Sequence, residues 1–336
     1  MNYRHHYHAG NFADVMKHAL LVPLVRALQR KEKGFLYLDT HAGRGSYDLA
    51  VAAIGNTHAR VPEWPEGVGR LWNRPAGELP GGVADYIALV REYDRRESNA
   101  TPEPRFYPGS PALVNLIARP QERLILCERQ PAECAALREK FQFTGGAQVR
   151  EADGYATMRA VLPPLEKRAL VLIDPPFEAQ DEWAQIVATL KDGLKRLPGG
   201  VFAVWYPLTE RAKVDLFFAE LRGLVLPPTM AVELVVNPPA AKMVGCGVLI
   251  VNPPWKFADE AAATVGYLAK VLGQGAGARG DLIWLARETS GMCSLVVRCR
   301  QRRTTGRGEG AQKTETGVSA DAWGFPSVIR SGISAS

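Results

Sequence analysis

The sequence predicts an α/β fold in which helices cover both faces of a mainly parallel sheet. Short apolar runs alternate with amphipathic segments from about residue 34 to residue 223, as in parallel strands joined by crossover helices. Several of these runs end in Asp, Glu or a glycine turn, and ligand-binding loops of such sheets follow the carboxyl ends of the strands. Two further apolar runs, 231–237 and 247–255, predict a closing antiparallel pair.

The individual elements follow from periodicity and from helix-capping residues. Apolar residues recur at helical spacing after Asn11, a favourable N-cap, and predict a helix over 11–31 that Pro23 should kink or split. The predicted strands are 34–39, 123–128, 148–154, 169–177 and 200–207. The predicted helices between and after these strands are 131–141, 181–197 and 210–223.

The alternation is interrupted by one segment and is followed by another of different composition. Residues 48–108 are rich in Pro, Gly and Trp and contain one amphipathic helix near 83–95, so we expect an inserted helical subdomain there. The core domain then comprises residues 1–47 and 109–288. Residues 289–336 are basic and then polar, with few apolar side chains, which predicts a disordered tail.

Composition places the chain among globular proteins. Its 336 residues are 46% hydrophobic and 23% charged, and no apolar run is long enough to predict a membrane span. The opening segment lacks the apolar core of a signal peptide, and the five cysteines show no CxxC pairing. We therefore expect a cytoplasmic protein with free thiols and, by default, a monomer.

The net charge says little about partners. The chain carries +6, but residues 289–336 contribute four of those charges, with seven Lys/Arg against three Asp/Glu. The first 288 residues are therefore close to neutral. If the protein binds nucleic acid, a local basic surface must do so.

The strongest motif is Asp174-Pro175-Pro176-Phe177, at the end of an apolar strand. The Asp174 carboxylate and the Pro175 carbonyl can accept both N–H groups of an exocyclic amine and draw its nitrogen towards tetrahedral geometry. Two prolines stiffen the loop, and the Phe177 ring can stack on a base. Such a loop positions an amine against a methyl donor, although an ordinary turn at the end of a strand is an equally common reading.

Two similar tetrads compete with this motif. Asn237-Pro238-Pro239-Ala240 lacks the aromatic residue, whereas Asn252-Pro253-Pro254-Trp255 has one but follows the last predicted strand. Catalytic loops gather at the carboxyl ends of central parallel strands, so the sequence favours Asp174. Asn252 remains a competitor.

Three further strand ends carry polar residues suited to a nucleoside cofactor. Asp39 precedes a Gly43-x-Gly45 turn, which lacks the third glycine of a dinucleotide site and suits the amino-acid end of S-adenosylmethionine better than a pyrophosphate. Glu128 can accept hydrogen bonds from two ribose hydroxyls, and the acid of Asp153-Gly154 can accept one from an adenine amine. Each has a simpler explanation as a turn or surface residue. Together with the Asp174 tetrad they mark four successive strand ends, and such an order is harder to obtain by chance.

The His-rich N-terminus does not predict a metal site. The cluster lacks Cys or acidic partners at ligand spacing, and no HExxH motif is present. Its members are Tyr3, Arg4, His5, His6, His8, Lys17 and His18. Cations and aromatic rings near a cofactor or an RNA phosphate explain the cluster better, and a plain surface patch is the alternative.

Several segments together resemble a known family. They are YRHHYHAGNFADVMKH (3–18), LYLDTHAGRGSY (36–47), YPGSP (107–111), EADG (151–154), LIDPPF (172–177), WYP (205–207) and VNPPW (251–255). In this order they resemble the 23S ribosomal RNA adenine-N6 methyltransferases of the RlmJ type over about residues 1–288. The opening segment carries most of the resemblance, since DPPF is shared with many amino-methyltransferases.

The resemblance implies a Rossmann-like class I methyltransferase with a small helical insertion. It implies that the chain methylates the N6 amine of an adenosine in 23S ribosomal RNA, with Asp174 as the catalytic residue. Tyr3 is implied to lie near the substrate, beside Pro175 and Phe177. The S-adenosylmethionine contacts that it implies are His18, His41, Ser110, Glu128, Asp153 and Gly154.

Other functions remain open on sequence alone. A DNA adenine methyltransferase usually needs a larger target-reading region than residues 48–108 offer, and a protein glutamine methyltransferase favours Asn-Pro-Pro-Tyr. A nicotinamide-dependent oxidoreductase is possible from the fold class, but the incomplete glycine motif counts against it. A non-catalytic RNA-binding module would bind RNA without transferring a methyl group.

Overall fold

A computed structural model gives the fold, and it describes residues 7–50, 61–238, 242–287 and, for the backbone alone, 296–297. The predicted tail at 289–336 lies outside these ranges except for its residues 296–297. The strands are β1 (Leu36–Asp39), β2 (Ser46–Asp48), β3 (Phe106–Pro108), β4 (Arg123–Glu128), β5 (Ala147–Glu151), β6 (Ala169–Ile173), β7 (Val201–Leu208), β8 (Thr229–Val235), β9 (Gly245–Val251), β10 (Arg279–Ala286) and β11 (Val296–Val297). The α-helices are α1 (Phe12–Gln29), α2 (Gly69–Trp72), α3 (Gly81–Arg96), α4 (Ser110–Ile117), α5 (Pro131–Phe141), α6 (Gly154–Val161), α7 (Glu182–Arg196), α8 (Arg211–Arg222) and α9 (Phe257–Leu272).

Nine strands form one sheet in the order β11-β10-β8-β9-β7-β6-β1-β4-β5, and β2 pairs with β3 outside it. The five strands from β5 to β7 are parallel, and β9 is antiparallel to both β7 and β8. In the central register, Leu38 lies between Ile125 and Val171. This order confirms the predicted α/β class I methyltransferase-like fold and the predicted antiparallel pair.

The chain reverses direction across the sheet beside β1. It passes from β1 to β4 and β5 on one side, and then returns to β6 and β7 on the other. A crevice opens at the carboxyl ends of the strands where such a sheet reverses, and ligands bind there. The strand order alone therefore indicates a ligand site at the carboxyl ends of the strands beside β1.

Each face of the sheet has its own hydrophobic core. Tyr37 points into the core shared with α1, α3, α4, α5 and α9, whereas Leu36 and Leu38 point into the core with α6, α7 and α8. All four residues of β1 are buried, because a parallel sheet is covered on both faces. This explains why the central strands read as continuous apolar runs.

The first helix differs from the prediction in one respect. Pro23 does not split α1, which runs without interruption from Phe12 to Gln29. The Ala19 carbonyl, which the missing N–H of Pro23 cannot bond, lies beside Gly82 at the start of α3. Asn11 caps the helix as predicted, accepting from the backbone N–H groups of Ala13 and Asp14.

The inserted segment packs against this same helix. Val83, Tyr86 and Val90 of α3 join the core that α1 forms. Among the described residues, no helix is both long and apolar enough to cross a membrane.

Candidate active site

The carboxyl ends of the central strands enclose a cavity of about 770 Å³, a size typical of ligand sites. Nine of the ten predicted site residues line it, and Tyr3 lies outside the described residues. The nine are His18, His41, Ser110, Glu128, Asp153, Gly154, Asp174, Pro175 and Phe177. They come from six separate segments of the chain, so the fold brings them together.

The glycine turn after β1 is fastened to Glu128. Gly43 and Gly45 adopt φ values of +58° and +77°, which glycine tolerates without strain. The Gly43 N–H donates to Glu128 Oε2 at 2.9 Å, and the Gln130 N–H donates to Oε1 at 2.7 Å. Burial raises the pKa of Glu128. Each carboxylate oxygen can still accept another bond, as a ribose diol would require.

A buried acid beneath the turn holds Ser110. The Ser110 hydroxyl donates to Asp39 Oδ2 at 2.6 Å, and the Tyr37 hydroxyl donates to the same atom at 2.9 Å. Burial raises the pKa of Asp39 to about 6. Because its proton is given to Asp39, Ser110 presents its oxygen as an acceptor, and an ammonium group is a suitable donor to it.

His41 is held as a neutral imidazole. Thr40 Oγ1 donates to the Leu172 carbonyl, so it accepts from His41 Nδ1, which lies 2.8 Å away; this pairing assigns the tautomer. Burial lowers the pKa of His41 to about 4. The second ring nitrogen, Nε2, is therefore an acceptor at neutral pH.

Gly154 is required by a close approach between two chain segments. A side-chain carbon at this position would lie 2.1 Å from the Thr40 carbonyl oxygen. Its neighbour Asp153 caps α6 by accepting from the Ala156 N–H at 2.9 Å. The turn after β5 thus lies directly against the turn after β1, and together they form one wall of the cavity.

Asp174 forms an ion pair that sequence reasoning missed. Lys17 Nζ lies 2.6 Å from Asp174 Oδ2 and 2.9 Å from Asp14 Oδ1. Burial alone lowers the pKa of Lys17, but the charges of Asp14 and Asp174 outweigh it and hold that pKa well above its ordinary value. Lys17 is therefore a buried cation that fixes one oxygen of the Asp174 carboxylate. Its sequence signal was an Asp and a Lys three positions apart on α1, next to His18.

Phe177 belongs to an aromatic wall beside Asp174. Its ring centroid lies 4.7 Å from that of Trp183 and 5.8 Å from that of Trp205. Phe177 adopts a φ of +53°, which is uncommon for an aromatic residue and costs about 1–3 kcal/mol. The surrounding rings hold the residue in this conformation. Trp183 and Trp205 also line the cavity. Trp205 belongs to the WYP segment (205–207) of the family resemblance, whereas Trp183 lies in none of its segments.

The asparagines of the two competing tetrads lie elsewhere. Since β9 is antiparallel to β7, Asn252 lies at the opposite edge of the sheet, where its side chain donates to the carbonyls of Pro198 and Gly200 at 2.8 Å. Asn237 donates to the Ala276 carbonyl and does not line the cavity. Geometry therefore favours Asp174 over Asn252.

The cavity is acidic. Its carboxylates are Asp14, Glu128, Glu133, Asp153, Asp174, Glu178 and Glu182, against Lys17, Arg129 and Lys213. S-adenosylmethionine carries a sulfonium, an ammonium and one carboxylate, and is thus a net cation. An acidic cavity favours such a ligand and disfavours a pyrophosphate. Within the described residues no cluster of three or more His, Cys, Asp or Glu is placed to hold a metal ion.

Comparison with known proteins assigns the chain to a family. The family model described as Ribosomal RNA large subunit methyltransferase D, RlmJ, matches residues 32–286. The chain is 36% identical over 292 residues to Ribosomal RNA large subunit methyltransferase J of Escherichia coli K12, covering 86% of this chain and all of that protein. It is 35% identical to the protein of that name from Haemophilus influenzae, covering 81% of this chain and 94% of the relative.

A solved structure shares the fold. Protein LPL1258 of Legionella pneumophila is 32% identical, with a TM-score of 0.70, covering 82% of this chain and 97% of that chain. The methyl donor is S-adenosylmethionine, which the acidic cavity and its glycine-lined wall fit. The resemblance inferred from the sequence is confirmed, and the chain belongs to the RlmJ family of ribosomal RNA large subunit methyltransferases.

Proposed function

We propose that this protein methylates the N6 amine of an adenosine in large-subunit, 23S ribosomal RNA. The observation that carries the proposal is the position of Asp174 and Pro175 at the rim of the cofactor cavity, beside the Phe177 ring. Names of the relatives support ribosomal RNA as the substrate class. The choice of adenine and of its N6 atom rests on the chemistry of this loop.

The loop suits an amine because it offers two acceptors on adjacent residues. Lys17 engages Asp174 Oδ2, and the other oxygen, Oδ1, is our candidate acceptor for one N–H of the base. The Pro175 carbonyl accepts the other. Phe177 stacks on the ring, and the stiff Pro175-Pro176 pair keeps the acceptors in place.

S-adenosylmethionine supplies a methyl group on a sulfonium. During transfer the methyl–sulfur bond breaks, a methyl–nitrogen bond forms, and the positive charge moves to the amine of the base. The Asp174 carboxylate stabilises that charge as it develops, and the amine then loses its extra proton. Lys17 acts as a positioning residue, because it holds the Asp174 carboxylate without occupying both oxygens.

Cofactor residues follow from the same arrangement. We assign the ribose to Glu128, the cofactor adenine to Asp153 and the wall at Gly154, and the amino-acid end to the turn that contains His41 and to Ser110. His18 closes this end from α1, where its Nδ1 lies 2.8 Å from the Tyr107 hydroxyl. Tyr3 stays a prediction for the substrate side.

The test is to identify the methylated nucleoside. The protein is incubated with labelled S-adenosylmethionine and unmodified ribosomal RNA, and the RNA is digested to nucleosides. We expect the label in N6-methyladenosine from the large-subunit RNA. Label in another nucleoside, or faster labelling of duplex DNA, would contradict the proposal.

A further inference from the structure

In the part of the chain that the structure describes, a cluster of positive charge lies on the side of the sheet opposite the cavity. Seven connections meet at the amino ends of the parallel strands, and with one flanking residue on each side they span 29–36, 117–123, 141–147, 161–169, 196–201, 222–229 and 251–257. We name this surface the amino edge. It carries ten Lys/Arg against three Asp/Glu, a net +7. Since the whole chain is +6 and residues 289–336 contribute +4, the remaining residues are net −5.

Part of this charge serves the fold. The Arg119 guanidinium donates to the carbonyls of Gln29 and Lys31, and Arg168 donates to those of Leu28 and Lys33, so both cap the end of α1. Burial and the nearby charge of Arg119 lower the pKa of Arg168, a sign of how crowded the cations are.

Two of the three acids are already paired. Glu122 lies against Arg119, and Glu166 against Arg123. The other cations stand in solvent. They are Arg30, Lys31, Lys33, Lys167, Arg196, Arg222 and Lys256, all exposed.

Exposed apolar side chains share this surface. Of six exposed large hydrophobic residues in the described part of the chain, four lie on the amino edge: Phe143, Leu165, Val225 and Trp255. Trp255 is 75% exposed, and the Lys256 ammonium lies 4.3 Å from its ring centroid. Cations interleaved with exposed aromatic rings are the combination that binds phosphates and unpaired bases.

The amino edge cannot act on the cavity through its field. The five residues of β6 separate Asp174 from this edge by about 17 Å, roughly two Debye lengths at physiological salt. The cavity itself has more carboxylates than cations, so it repels a phosphate backbone. An RNA bound with its target base in the cavity needs attraction from another part of the protein.

We propose that the amino edge is a second RNA-binding surface, which holds a part of the ribosomal RNA other than the target nucleotide. The inference rests on the proposed function for the class of partner. Its phosphates contact the exposed cations, and an unpaired base stacks on Trp255. A large RNA reaches both edges of the sheet, whereas a short oligonucleotide reaches only the cavity.

The test compares two charge reversals of equal size. One variant carries Lys31→Glu, Lys33→Glu and Lys167→Glu on the amino edge. The control carries Arg74→Glu, Lys191→Glu and Lys270→Glu, which are exposed residues away from both that edge and the cavity. Each protein is titrated with a long ribosomal RNA fragment that the parent methylates and with a short oligonucleotide trimmed around the methylated base, at several salt concentrations.

We expect the amino-edge variant to bind the long fragment at least about tenfold more weakly, with a salt slope smaller by roughly two to three. Its methylation of the short oligonucleotide should stay within about twofold of the parent, and the control should match the parent on both RNAs. Trp255→Ala should weaken binding of the long fragment by about fivefold or more and leave binding of the short oligonucleotide unchanged.

Three results would overturn the proposal. The first is unchanged affinity of the amino-edge variant for the long fragment. The second is an equal loss of affinity for that fragment in both triple variants. The third is a change in the oligomeric state of the amino-edge variant without a change in its RNA affinity. The last would assign the edge to a second copy of the chain. If the parent methylates no RNA at all, the proposed function itself has failed, and that outcome is distinct from these three.

Discussion

At the scale of single residues, the site depends on how its buried charges are matched. Lys17 lies between Asp14 and Asp174, with only 7% of its surface exposed, and each carboxylate gains its partner from the same ammonium. Removing one member of a buried ion pair costs more than the pair contributes, because the remaining charge stays desolvated. The three side chains should therefore behave as a unit.

Lys17→Met tests this unit. Two carboxylates would be left facing each other, so we expect a loss of about 3 kcal/mol in the free energy of unfolding and a large loss of methyl transfer. Adding Asp14→Asn removes one of the unpaired charges and should restore part of the stability but not the activity. Denaturant unfolding and single-turnover transfer measure the two effects. A single variant as stable as the parent would show that Lys17 is not held as described.

His41 gives the stability a pH dependence of known sign. Its pKa falls from 6.5 to about 4 because burial disfavours the charged ring. Between these pH values the unfolded chain binds a proton at His41 and the folded chain does not. The free energy of unfolding that neutral His41 contributes is therefore fully present above pH 6.5 and is lost as the pH falls towards 4.

We expect that the parent loses about 1–2 kcal/mol more than His41→Gln between pH 7 and pH 5, after allowance for the partial exposure of the ring. Urea unfolding of both proteins at the two pH values measures the difference. The same pH dependence in both would contradict the neutral, buried state of His41.

At the scale of elements, the turns after β1 and β5 form one wall through Gly154. A methyl group at this position meets the Thr40 carbonyl, so Gly154→Ala must push the two turns apart. We expect weaker cofactor binding, by about tenfold, together with lower stability.

The matched control is Gly266→Ala. Gly266 lies within α9 with no heavy atom near its missing side chain, and alanine there should stabilise the protein by about 0.5–1 kcal/mol. Calorimetric titration with the cofactor compares the two. Equal cofactor affinity in both variants would remove Gly154 from the wall.

Elements with a strong local signal could be predicted from the sequence. Arg123–Glu128 and Pro131–Phe141 have the predicted bounds, because a continuous apolar run and a proline at the first helical turn define them locally. The eight-residue helices α4 and α6 were missed, since so short a segment shows little periodicity. The β2–β3 pair was missed because its partners lie far apart in sequence.

The same distinction applies to the site. Acids and glycines at strand ends could be found one strand at a time, and Glu128, Asp153, Gly154 and Asp174 line one cavity. His18, His41 and Ser110 were predicted only through the family resemblance. The contact between Lys17 and Asp174 joins residues 157 positions apart, and no local pattern reports it. The sequence favoured Asp174 but could not exclude Asn252, because the position of Asn252 depends on the direction of β9 in the sheet.

At the scale of the whole molecule, charge is separated between the two edges of the sheet. The cavity edge is acidic and suits a cationic cofactor, whereas the amino edge is basic. The two proposals therefore assign catalysis and RNA attraction to different surfaces. The target base must leave its stack and enter the cavity alone, which costs least where it is unpaired.

We expect an RNA whose target adenosine is unpaired to be methylated faster than the same RNA annealed to a complementary strand. Single-turnover rates with saturating cofactor measure this, and the end-labelled duplex serves to verify annealing. Equal rates would show that pairing does not limit access to the cavity.

The proposed function depends most on Asp174 accepting a hydrogen bond from the amine of the base while other residues bind the cofactor. Its most direct test is Asp174→Ala, with cofactor affinity measured by calorimetry and methyl transfer measured in a single turnover. Asn252→Ala, in the similar tetrad at the opposite edge, is the control. For Asp174→Ala we expect cofactor affinity within about twofold of the parent and methyl transfer slower by at least about a hundredfold, with the control unaffected in both measurements. Transfer by Asp174→Ala at a rate near that of the parent would contradict this role of Asp174.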